Sequence, residues 1–153
     1  MESKLKHLEL IQGVINRLAS NSFLMKGWAV VLLAALFVLL ARQDAFDAGY
    51  IAFLPIAAFW GLDGYFLWQE RLFRAHYDTV RTLPVENIDF SMDVRVYHGS
   101  PRHRWLGTTF SRTLVMFYGA LLAFVLIAVI ALVGEPGPEA ALQVPDAPIP
   151  GNG

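Results

Sequence analysis

No cysteine occurs in the 153-residue chain, which excludes disulfides, thiol catalysis and thiolate metal sites. A G-x-S-x-G elbow, a Walker loop, an H-E-x-x-H pair and a Gly-rich dinucleotide turn are also missing. Without these signatures no catalytic residue, cofactor site or metal site is expected, and the chain does not read as an enzyme. A net charge of −1 argues against a nucleic-acid partner. Lysine and arginine are absent beyond Arg112, and this local absence carries information about topology.

What the chain has in abundance is apolar sequence, with 56% hydrophobic residues gathered into three long runs. Crossing about 30 Å of hydrocarbon in a helix takes roughly 20 apolar residues. Phe23–Ala41, Ala48–Trp68 and Thr113–Gly134 each meet that length, the first only if Lys26 snorkels to the interface. The lipid bilayer is therefore the expected surroundings. A cleaved signal peptide is not expected, because an amphipathic stretch precedes the first run and no small-x-small site follows it.

Basic residues alternate between the loops. Lys4, Lys6, Arg17 and Lys26 come before or at the start of the first run, and only Arg42 lies between the first and second. Arg71, Arg74, Arg81, Arg95, Arg102, Arg104 and Arg112 fall between the second and third. Cytoplasmic loops collect lysine and arginine, so the N-terminus and the Arg71–Arg112 segment are expected inside. The Arg42–Gly49 turn and the C-terminal tail are then outside, in a multi-pass membrane protein.

The expected fold is an all-α membrane protein with three transmembrane helices, divided into five stretches. Residues 1–22 form a cytosolic amphipathic helix, with Leu5, Leu8, Ile11, Ile15 and Leu18 at helical spacing. It either lies on the inner leaflet or packs on other cytosolic helices, and Ser20-Asn21-Ser22 offers a cap for the next helix. Residues 23–68 are a two-span hairpin. Residues 69–110 begin with an extension of the second helix, unbroken until Pro84, in which Glu70 and Arg74 stand one turn apart. Within this stretch Asp89–Tyr97 alternates Phe90, Met92, Val94 and Val96 with polar residues and reads as one short strand or an extended loop. Residues 111–134 are the third span, and 135–153 a proline-rich tail expected to be disordered.

Asp63 is the one acid inside an apolar run, and an unpaired charge there costs about 3 kcal/mol. Lys26 enters the first span from the same side, so a structural ion pair between Lys26 and Asp63 is expected. The cytosolic arginines could attract anionic lipid or a charged small ligand, although residues that set topology look the same. His98 and His103, five apart beside Arg102 and Arg104, match no metal-ligand spacing.

KLKHLELIQGVINRLASNSFLMKGWAV, FWGLDGYFLWQERLFRAHYDTV and the later DFSM resemble a widespread group of small, uncharacterised bacterial inner-membrane proteins. More loosely the chain is similar to RipA-type oligomeric membrane proteins. The resemblance rests on Asn21, Ser22, Phe23, Lys26, Gly27, Trp28, Asp63, Glu70, Arg71, Phe73 and Arg74, and it implies a homo-oligomer in the bacterial cytoplasmic (inner) membrane. From the residues, the same expectation follows if Phe66, Phe73 and Tyr77 form an uncovered stripe and Phe90, Met92, Val94 and Val96 an unpaired edge, all covered by a second copy. The expected function is a homo-oligomeric structural or accessory component of the membrane. The alternative is an oligomeric pore or channel, such as a stress or phage-defence effector.

Overall fold

A computed structural model describes residues 1–42, 50–99 and 104–133. The expected outer turn, the proline-rich tail and His103 lie outside the described residues. Helix α1 spans Glu2–Arg42, α2 Phe53–Thr82, α3 Trp105–Thr109 and α4 Arg112–Val133. Three of the helices are long and apolar enough to cross a membrane.

The first correction concerns the start of the chain. The expected boundary at residue 22 does not exist, since α1 is one helix of 41 residues, roughly 60 Å long at helical rise. Ser20, Asn21 and Ser22 cap nothing. They lie mid-helix, where backbone amides already have partners one turn back, and the Ser22 hydroxyl is engaged by Asp63 instead.

Because α1 and α2 both outrun their apolar segments, they continue together as a two-helix stalk. Ile11 and Ile15 are buried there against Val80 and Ile88, with Leu8, Phe73, Tyr77 and Leu83 packed around them. Of the two placements open for the amphipathic helix, the structure has packing on another helix. The aromatic stripe is correspondingly less bare than expected. Phe73 and Tyr77 pack against α1 of the same chain, and Phe66 is half-buried. A second core joins the apolar halves, with Ala29 and Leu33 of α1, Ile56 of α2, and Leu114, Tyr118 and Val125 of α4.

Helix α2 ends where Pro84 disfavours helical geometry in the residue before it, and Leu83 is extended at φ −71°, ψ 143°. The exposed carbonyls at this end are met from the other helix. Lys4 Nζ donates to Arg81 O at 3.0 Å and to Leu83 O at 2.6 Å, placing a cation at a helix C-terminus.

The second correction concerns Asp89–Tyr97, which is not a strand; the described residues contain none. The period of two has another cause. Ser91 N–H donates to Asp89 Oδ1 at 2.9 Å, Asp93 N–H to Ser91 Oγ at 3.1 Å, and Arg95 N–H to Asp93 Oδ1 at 2.9 Å. Each polar side chain thus caps the amide two residues on, as Asp and Ser do in turns. A 3-10 turn follows at Arg95–Tyr97, and Phe90 sits in the left-handed region at φ 55°. We call residues 84–98 the connector. It runs back along the stalk from Leu83, past His76, to Trp68, whose ring lies 5.0 Å from that of His98.

Candidate functional site

Asp63 is completely buried, on the α2 face that meets both α1 and α4. Ser22 and Lys26, one turn apart on α1, both reach it. The Ser22 hydroxyl donates to Asp63 Oδ1. Lys26 Nζ lies 2.6 Å from Asp63 Oδ2 and 3.1 Å from Ser22 Oγ. From α4, the Tyr118 hydroxyl sits 3.2 Å from Asp63 Oδ2 and 3.3 Å from Phe59 O. The carboxylate therefore receives donors from two other helices, the condition under which a buried charge is tolerated.

Neighbouring residues hold this junction in place. The Trp60 ring stacks on Tyr118 at 5.8 Å between centroids, and its Nε1–H donates to Thr109 O at 2.8 Å. Gly64, next to Asp63, lets Thr109 come close: a Cβ at position 64 would stand 2.9 Å from Thr109 Cβ. The short α3 is thus seated on α2 by a glycine and an indole, and Arg71 Nη1 reaches Thr108 Oγ1 at 3.4 Å.

Lys26 and Asp63 are brought together. Ser22 and Tyr118 are the partners that sequence reasoning missed. Ser22 carried a signal in standing one turn before Lys26 on the same face. Tyr118 carried a weaker one, as a polar tip inside the uncharged third run. Chemically the arrangement is an ion pair with two hydroxyl donors, suited to locking three helices together. Among the described residues no group of three or more His, Asp or Glu side chains is placed to hold a metal ion.

Of the residues expected at an oligomer contact, Phe73 and Tyr77 are packed within the stalk. Val94 is buried, while Phe90, Met92 and Val96 are exposed on the connector. Several of the arginines expected to attract anions already have carboxylate partners. Arg74 pairs with Glu70 at 2.7 Å, Arg81 with Asp78 at 3.1 Å and Arg95 with Asp93 at 2.7 Å. The Asp93 carboxyl is held down to about 2 by the Arg95 side chain. Comparison with protein-family models, curated proteins and solved structures finds no match.

Proposed function

We propose that the protein is a homo-oligomeric structural or accessory component of a bacterial cytoplasmic membrane, with α1 as its subunit contact. The observation that carries this reading is one exposed face of α1. Gly13, Ser20, Gly27 and Ala34 recur every seven residues along it, and all four are exposed. Leu10, Leu24, Val31 and Val38 stand beside them, also exposed, in a row that Arg17 interrupts. A seven-residue repeat of small and apolar residues is what two helices need to approach closely along their length. The unbroken α1 keeps that repeat in register from the stalk into the apolar half.

The glycines support the same reading. A Cβ at Gly13 or Gly27 would meet nothing within 4 Å in the chain itself. Glycine in a helix interior nonetheless costs about 1 kcal/mol relative to alanine. A neighbouring subunit supplies a reason for its presence. Closed cyclic symmetry is the common arrangement for identical chains, so a dimer or small ring is expected.

The test is native mass in mild detergent. The wild type should run at two or more times the 17.1 kDa of one chain, and Gly13→Leu with Gly27→Leu should shift it to the monomer. A wild type that stays monomeric in several detergents and in nanodiscs would sink the proposal. Planar-bilayer recording separates it from the pore reading, since a structural component conducts nothing. The proposed orientation has its own test: alkaline phosphatase should be active when fused after Gly134 and inactive after Arg81. The reverse pattern would invert the protein.

A further inference from the structure

Two buried histidines face each other where α1, α2 and the connector meet. His7 of α1 and His76 of α2 are 4% and 7% exposed, and their rings meet edge to face with centroids 6.0 Å apart. The two rings are bonded differently. His76 Nε2 donates to Ser91 O at 2.8 Å, which leaves Nδ1 to accept from the Tyr97 hydroxyl at 3.4 Å. A neutral His76 is thus satisfied at both nitrogens, and both partners belong to the connector. His7 Nε2, by contrast, is buried with no hydrogen-bond partner, and the ring lies edge to face against Phe90 at 5.5 Å.

We propose that His7 and His76 form a proton-operated latch, which clamps the connector to the stalk while His7 is neutral and releases it when His7 is protonated. Protonation would put a charged N–H at Nε2, where nothing accepts it, beside a second imidazole. Buried, unpaired charge is strongly disfavoured. Asp89 eases a charge on His7 only in part. On α1, Lys4 is bound to the carbonyls at the end of α2. On α2, the facing group is His76 itself. On the connector, Asp89 Oδ1 holds the Ser91 amide and Asp93 holds Arg95. The connector is also poised to leave, because Phe90 is strained at φ 55° and its ring packs on His7.

The electrostatics have the matching sign. Burial pushes the His7 imidazole below its ordinary value, the facing His76 lowers it further, and Asp89 raises it in part. A histidine that binds its proton more weakly in the clamped state stabilises that state fully above the released-state value. The stabilisation is lost as pH falls through about 6.5 toward the lower clamped-state value. At pH 5.5 an ordinary imidazole is protonated about tenfold over, so the release equilibrium can rise by up to about tenfold from pH 7.5.

Hydrogen–deuterium exchange of the full chain in nanodiscs reads this directly. Amides of residues 88–97 should open several-fold more at pH 5.5 than at pH 7.5, after division by the intrinsic exchange rate at each pH. His7→Phe keeps a ring in the pocket but takes up no proton, so its connector should be equally protected at both values. Equal protection in the wild type, or a pH response that persists in His7→Phe, would overturn the latch. Should His7→Phe misfold, histidine NMR of the wild type decides the matter. His7 must titrate below the ordinary value with connector resonances following the same midpoint, and an ordinary or raised midpoint would overturn the proposal.

Discussion

Asp63→Asn is expected to lower stability by about 3 kcal/mol, the scale for breaking a buried ion pair from one side. The asparagine keeps the shape and can still bond Ser22 and Tyr118, but it withdraws the countercharge from Lys26. That ammonium sits 2.6 Å from the carboxylate, and its side chain is only 22% exposed. Thermal or denaturant unfolding in a defined micelle measures the loss. The controlling comparison is a double-mutant cycle with Lys26→Gln. Removing both charges should recover part of the loss, giving a coupling of roughly 1–3 kcal/mol between the sites. If the double mutant is the simple sum of the singles, the pair contributes nothing beyond its separate parts. Tyr118→Phe is expected to cost less, about 1 kcal/mol, because Lys26 still serves the same oxygen.

The second large effect is a contrast between two glycines one helical turn apart. Gly64→Ala should cost about 1–3 kcal/mol, the range for forcing extra volume into packed structure. Its Cβ would meet Thr109 Cβ at 2.9 Å and Cγ2 at 3.0 Å, so α3 must move and strain the Trp60–Thr109 bond. At Gly61 a Cβ meets nothing within 4 Å. There the higher helix propensity of alanine should raise stability by up to about 1 kcal/mol. Thr109→Gly should recover part of the Gly64→Ala loss. Equal effects at the two glycines would mean that α3 is not seated on α2 as described.

The same local patterns that led to correct helices also misled twice, each time where a side chain had a choice of partner. Serine and asparagine ahead of an apolar run look like a cap, and they are one only when the amides beyond them lack partners. In α1 the helix is already formed at that point, and Ser22 turns across to Asp63. Alternation in Asp89–Tyr97 has the period of a strand. A period of two also arises when each Asp or Ser caps the amide two residues later, and nothing within the segment distinguishes the two.

The sequence by itself determined the three apolar runs, the stop of α2 before Pro84, the Glu70–Arg74 pair and the candidacy of Lys26 and Asp63 as partners. Those depend on run length, on helical periodicity and on the cost of an isolated charge in an apolar segment, all written in neighbouring residues. Only the tertiary structure decided that Ser22 and Tyr118 complete the Asp63 junction, across 41 and 55 residues of chain. The same is true of Lys4 closing the end of α2, 77 residues away, and of His7 meeting His76 over the connector. In the first three a donor from one helix meets an acceptor on another at hydrogen-bond distance, while His7 meets His76 ring to ring. Which residue stands there depends on how the helices are rotated and staggered against one another, and that geometry comes from the whole packed core.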